Sequence, residues 1–188
     1  VGGMSEYGLA VSEIQGHFCD EETLQGIPFP VLLRDVLYLD KTLDEALARM
    51  RQATRTNQYH YGLADPKAPD PQGRLLFTSK TRFDEIVDNQ RVETHPCEDL
   101  KPFHETLDDV VYWKNHNGRG NEILFNAIKE RYGAIDAETS KEIAVASGVD
   151  GTLVSIIYHN SGDDMWVAFA EGADRATNQQ FVHVSLGK

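Results

Sequence analysis

A chain of 188 residues is long enough to bury a core of its own, and 40% hydrophobic with 26% charged residues is an ordinary globular balance. Eighteen Lys and Arg stand against thirty Asp and Glu, a formal charge of −12, which excludes the basic face that nucleic acid or an anionic membrane requires. No apolar run reaches the roughly 18 residues of a membrane helix, and Cys19 and Cys97 make neither a metal spacing nor a disulfide framework, so the compartment stays open.

The chain opens on Gly2-Gly3-Met4 and a polar corner, Ser5-Glu6-Tyr7-Gly8, with Gly8 where a tight turn wants φ > 0. Leu9 to Gln15 then has strand character. With no leading Met, charged n-region or apolar signal core, this start reads as the middle of a hairpin. The partner strand is expected upstream, outside the sequence. Gly26-Ile27-Pro28-Phe29-Pro30 is a loop ending in a proline suited to a first helical turn. Leu32, Leu33, Val36 and Leu37 predict a buried helix over 30–39. Thr42 with Glu45 predicts a capping box, followed by the stripe Leu43, Ala46, Leu47 and Met50. Two helices joined so tightly should lie side by side.

From Asn57 the period becomes two. Tyr59, Tyr61 and Leu63 alternate, then Leu75 and Phe77, around a proline-stiffened loop from Pro66 to Gly73. Phe83 to Val87 reads as a third strand of this meander, and 89–109 as a long irregular excursion. After the short apolar Val110-Val111-Tyr112-Trp113, a helix through Leu124, Ala127, Ile128 and Tyr132 stops at Gly133. Another is expected from about Ala137 to Ser147, capped by Asp136 or Thr139 and stopped at Gly148. Three strands close the chain: Leu153 to Tyr158, Met165 to Ala170, and Phe181 to Val184, the first two joined by a turn at Ser161-Gly162-Asp163. Strands apolar on both faces need cover on both. The simplest solution is an α+β, four-layer αββα sandwich, two antiparallel sheets between helix layers, as a single domain over 1–188.

Four stretches together resemble a family. They are Gly3-Met4-Ser5-Glu6-Tyr7-Gly8-Leu9-Ala10-Val11; Leu32-Leu33-Arg34-Asp35-Val36-Leu37 with Thr42-Leu43-Asp44-Glu45-Ala46-Leu47; Tyr59-His60-Tyr61-Gly62-Leu63-Ala64-Asp65; and Gly151-Thr152-Leu153-Val154-Ser155-Ile156 with Trp166-Val167-Ala168. In order and spacing the chain resembles the N-terminal-nucleophile hydrolases of the choloylglycine hydrolase and penicillin acylase type. The nearest branch is that of acyl-coenzyme A:6-aminopenicillanic acid acyltransferase. The resemblance implies the αββα fold, here incomplete on its N-terminal side. It also implies an amidohydrolase or acyltransferase acting on the C–N bond of small acylated amines, amino acids or peptides. The nucleophile is a cysteine freed by autoproteolysis, whose own α-amino group is the base. That cysteine belongs upstream of the Gly-Met-Ser-Glu hairpin, and neither Cys19 nor Cys97 fills the role.

Supporting positions follow the same resemblance. Gln15 stands where the family places an oxyanion-facing asparagine; the competing reading is an ordinary strand-end Gln. His95, in Thr94-His95, stands near a second family asparagine, against the alternative of a solvent-exposed loop His. The family's late arginine has no counterpart beside Asp150-Gly151. Independently of the family, Asn117 in Asn115-His116-Asn117-Gly118 is a substrate-binding candidate at a polar pocket edge, or a turn residue. His95, Cys97, Asp99 and His104 match no standard zinc spacing, and 65–73 is a poor EF-hand. His159-Asn160-Ser161-Gly162-Asp163-Asp164 reads as turn chemistry. The chemistry calls for no metal or cofactor. Its partner is a small-molecule amide, with a second chain carrying the nucleophile and a homo-oligomer both left open. A catalytically silent member that binds a ligand or a subunit is the alternative from another class.

Overall fold

The computed structural model describes residues 2–16, 22–70, 72–87, 105–114 and 118–187. Over these residues the protein is α+β, with four α-helices and two antiparallel sheets. The chain divides into two units, Val1–Val111 and Tyr112–Lys188.

In the first unit, strands β1 (Gly2–Met4), β2 (Ala10–Gln15), β3 (Tyr59–Ala64), β4 (Gly73–Thr78) and β5 (Phe83–Ile86) form an antiparallel sheet in chain order. The partner of β2 over Ala10–Ser12 is therefore inside the sequence: Met4 faces Ala10 and Gly2 faces Ser12. A three-residue strand with two glycines carries almost no strand propensity of its own, which is why it reads as a turn in isolation. Burial of Leu9 and Val11 beside it supplies what propensity lacks.

Helices α1 (Phe29–Leu39) and α2 (Leu43–Gln52) are inserted between β2 and β3. Pro28, with φ −61°, leads α1 in, and a second proline sits in its first turn, where the missing N–H costs nothing. The helices bury Leu32, Leu33, Val36, Leu43, Ala46, Leu47 and Met50 against Val11, Tyr61, Leu63 and Leu76 of the sheet. Each such side chain is worth about 1.5–3 kcal/mol when fully buried. At the α1–α2 joint, Arg49 Nε and Nη2 donate to the buried Asp40 carboxylate, each at 2.7 Å. Thr42 caps α2 by accepting from Glu45 N. The Glu45 carboxylate turns to Lys41 N at 2.7 Å, one residue earlier than a capping box places it.

The second unit holds α3 (Gly118–Lys129), α4 (Ala137–Ser147) and an antiparallel sheet of β6 (Val154–His159), β7 (Asp164–Phe169) and β8 (Val182–Ser185). Here the capping box is complete: Asp136 Oδ1 accepts from Thr139 N and Thr139 Oγ1 accepts from Asp136 N. Helix α4 packs on α3 and on β6, and Lys141 Nζ lies 5.5 Å above the Trp166 ring. Register puts Ser155, Ile157, Trp166 and Ala168 on that face. The opposite face is apolar throughout: Val154, Ile156, Tyr158, Met165, Val167, Phe169, Val182 and Val184. Phe169 is 66% and Val182 61% exposed there.

Candidate functional site at the end of the second strand

Antiparallel register fixes which side chains share a face. Val11 pairs with Leu63, Glu13 with Tyr61 and Gln15 with Tyr59, so all six lie on the face that α1 and α2 cover. Along it burial falls from Val11, wholly enclosed, to Gln15, exposed. The strand runs out of the core toward solvent, and Gln15 is its last residue. One further bond, Gly16 N to Gln58 O at 3.2 Å, carries the pairing past the strand end.

Beside Gln15 the wall is aromatic. The Tyr59 ring lies 4.4 Å from Phe29, the first residue of α1, and 6.0 Å from Tyr61. Burial is the main cause raising the Tyr59 phenol above its ordinary value, with Glu13 and Glu22 adding to it. Burial likewise raises the Tyr61 phenol, against the opposing pull of Arg55. Both phenols therefore stay neutral at physiological pH. The loop from Glu22 to Ile27 returns along the segment before β3 through Thr23 N to Thr56 O, 2.9 Å, and Ile27 N to Thr54 O, 2.8 Å. Glu22, Thr23, Leu24, Thr56 and Asn57 line a concavity of about 470 Å³. Leu24 is fully exposed at its edge.

At the opposite end of β2 the Ser5–Gly8 corner is structural. The buried Ser5 hydroxyl oxygen accepts from Tyr7 N and Leu9 N, both at 3.2 Å, and Gly8 N donates to Ser5 O in a turn closed by Gly8 at φ 81°. An oxygen bound to two amides is committed to holding the turn. Lys67 Nζ donates to Tyr7 O and to Lys41 O, tying the corner to the helix joint and the β3–β4 loop.

Of the three candidate site residues Gln15, His95 and Asn117, Gln15 alone is placed. His95 and Asn117 lie outside the described residues, as do both cysteines and the His95–His104 group. Among the described residues no group of three His, Cys, Asp or Glu side chains has metal-binding geometry, and no helix is long and apolar enough to cross a membrane.

The stretch His159–Asp164, read from the sequence as turn chemistry, also holds a polar constellation that includes His183 of β8. At the β6–β7 turn Ser161 Oγ is 3.2 Å from His159 Nε2, and Asp164 Oδ1 is 2.9 Å from His183 Nε2. The His183 bond is the main cause holding the Asp164 carboxyl below its usual range. The order Ser–His–Asp resembles a catalytic relay. His159 Nδ1, however, stands 3.9 Å from Asp164, too far for the hydrogen bond that orients a general base. Asp164 serves His183 instead, whose ring stacks on Trp166 at 4.9 Å. Strand register, visible only in the structure, brings these residues together by pairing His159 with Asp164 and Trp166 with His183.

No family model matches the sequence. The chain is similar to Protein dcd1A of Dictyostelium discoideum, with 27% identity over 154 residues, covering 77% of this chain and 32% of that protein. It thus spans about a third of the length of the curated relative it matches.

Proposed function

We propose that this chain is part of a cysteine N-terminal-nucleophile enzyme that cleaves or transfers acyl groups at the C–N bond of small acylated amines, amino acids or peptides. The nucleophile comes from outside these 188 residues. The observation that carries the reading is the β1–β2 hairpin. Its Gly-Met-Ser-Glu-Tyr-Gly corner is a pinned antiparallel turn, and the strand it launches delivers the Gln15 amide to an exposed end beside an aromatic wall.

In this reading the α-amino group of the nucleophilic cysteine takes the thiol proton, and the thiolate attacks the amide carbonyl carbon. The Gln15 side-chain N–H donates to the resulting oxyanion. The amine departs with the proton held by the α-amino group, leaving a thioester that water or a second amine resolves. The four-layer sandwich belongs to the same proposal. The first sheet carries α1 and α2 on one face and the second carries α4, which is backed by α3, and each has a second face rich in apolar groups. Those faces are Ala10, Leu75 and Phe77 in the first sheet and Val154, Ile156 and Val167 in the second. The first-sheet residues are already buried, whereas Phe169 and Val182 of the second sheet are exposed, and a sheet with two apolar faces needs both covered.

The test uses the full-length protein with its own upstream sequence. Intact mass and N-terminal sequencing should show a chain beginning with cysteine, and N-acyl amines and N-acyl amino acids should be turned over. Gln15→Ala should lower kcat by ~10²-fold or more. A loss below about threefold removes Gln15 from the mechanism. A full-length protein with no such cysteine and no turnover overturns the enzyme reading in favour of a binding domain.

A further inference from the structure

We propose that the groove between α1 and α2 is a docking site for a protein partner, an amphipathic helix that is apolar along one face and flanked by Lys or Arg. The proposal is independent of the role given to Gln15.

Three observations carry it. The first is the groove itself. It has a volume of about 590 Å³ and runs from the α1–α2 joint, at Leu39 and Glu45, to Ile27 and Gln52 at the far end. At the helical rise, the ten residues of α2 make it about 15 Å long, close to three turns of a docked helix. Glu45, Ala48, Arg49 and Gln52 line the α2 side at helical spacing. Ala48 leaves a gap there, because a methyl group stands where a longer side chain would fill it. The second observation is apolar surface on the outer side of α1. The helix buries Leu32, Leu33 and Val36 inward, yet its outer side also carries Val31, Tyr38 and Leu39, with Tyr38 79% and Leu39 59% exposed. Val31, Asp35, Tyr38 and Leu39 share one helical face. Apolar anchors at that spacing are how an amphipathic helix seats itself in a groove.

The third observation is charge, which decides the kind of helix. The ionisable groups lining the groove are Asp35, Asp40, Glu45 and Arg49. Asp40 is matched by Arg49 through their two 2.7 Å bonds. That pairing is the main cause raising the Arg49 guanidinium above its ordinary value, with Asp35 and Glu45 adding to it. Both remaining carboxylates therefore stand around the same guanidinium. Asp35 meets its exposed neighbour Arg34 at 3.1 Å, and Glu45 bonds a neutral amide, Lys41 N, which leaves its charge unmatched. Other bases nearby face elsewhere: Lys41 Nζ lies over the Tyr7 ring and Arg51 donates to Glu85. A Lys or Arg on the flank of a docked helix would meet these carboxylates, and an acidic helix would be repelled.

The test measures binding to the full-length protein by fluorescence anisotropy in about 0.15 M salt. The probe is a helical peptide of about 14 residues, leucine on one face and lysine on the other. Wild type should bind it at least about tenfold more tightly than the same peptide with glutamate in place of lysine. Asp35→Asn with Glu45→Gln keeps the shape and removes both charges, and Ala48→Trp fills the gap. Each should weaken the lysine peptide by at least about tenfold. Glu122→Gln with Glu171→Gln removes the same charge from exposed positions of the second unit and should stay within about twofold. Melting curves confirm that each variant is folded. The proposal is overturned if wild type shows no such preference, or if either groove variant weakens binding by less. It is overturned too if the remote pair weakens binding beyond twofold, since the peptide then reads only the net charge of −12. Sedimentation and phosphatidylcholine vesicles test the other occupants. A wild-type dimer that Ala48→Trp makes monomeric puts a second copy in the groove, and vesicles that bind wild type but not Ala48→Trp make it a membrane contact; either overturns the helix partner.

Discussion

Asp65 shows how much one buried carboxylate can organise. It is 1% exposed, and its two oxygens divide their work: Oδ2 accepts from Leu43 N at 3.1 Å, and Oδ1 accepts from Lys67 N at 2.9 Å. The first bond satisfies an orphan amide at the start of α2; the second closes the turn after β3. Asp65→Asn keeps the shape but turns one acceptor into a donor facing a donor. The expected loss is about 2 kcal/mol, read as a lower urea midpoint with unchanged slope. A variant within 0.5 kcal/mol of wild type, in order of magnitude, would show that water replaces the lost acceptor. Gly26 makes a different demand, for space. A Cβ there would sit 2.8 Å from Thr54 O and from the Arg55 carbonyl carbon, both backbone atoms. Gly26→Ala must therefore push the 22–27 loop off the segment it pairs with. The expected destabilisation is about 1–3 kcal/mol, measurable by the same denaturation curve, with the Ile27–Arg55 bridge as the first contact strained.

At the scale of elements, α4 offers a titration with a defined sign. The Asp136 carboxylate accepts from Thr139 N, and this bond is the main cause lowering its pKa from 3.8. A carboxyl whose folded value is depressed adds stability that is fully present above the unfolded value and lost as pH falls through the folded one. Melting of the first turn of α4 should therefore begin only below about pH 4. Carboxyl NMR should place the Asp136 midpoint below 3.8, and Asp136→Asn, which still caps, should remove the pH dependence but keep the helix. A midpoint at or above 3.8 would mean the cap is not formed in solution. Helix α4 was also among the elements most legible in the sequence. Its cap residues and those of α2 announce themselves by type, and the stripe Leu43, Ala46, Leu47, Met50 has a single helical solution. Strands β3 to β8 are legible for the parallel reason of alternation and bounding turns. What the sequence hides is whatever depends on register between elements: β1 as a partner of β2, Asp65 reaching Leu43, Asp164 between two histidines. The candidate site divides along the same line. Gln15 is singled out only through the family resemblance, whereas its neighbours Tyr59 and Phe29 become visible only when β2, β3 and α1 are set side by side.

At the scale of the whole chain the governing quantity is charge. Eighteen basic and thirty acidic residues leave −12 at pH 7, and such an excess opposes the compact state through self-repulsion. Local pairs work the other way. Arg34–Asp35 and Arg131–Glu142 are close but largely exposed, and pairs of that kind contribute about 0–1 kcal/mol each. Salt acts on both. Raising ionic strength from 0.01 to 0.1 M shortens the screening length from roughly 30 to roughly 10 Å. That removes repulsion between distant carboxylates while charges in direct contact keep most of their attraction. Stability at pH 7 should therefore rise with sodium chloride over this range. Near pH 5, close to the isoelectric point of about 4.9, the long-range repulsion is gone, and only the weakening of contact pairs remains. There the same addition should leave the melting temperature flat or lower it slightly. The measurement is a pair of melting series in sodium chloride, one at each pH. A melting temperature that falls with salt at pH 7 would place the balance in the local pairs, and the acidic excess would then be a matter of solubility with no share in folding.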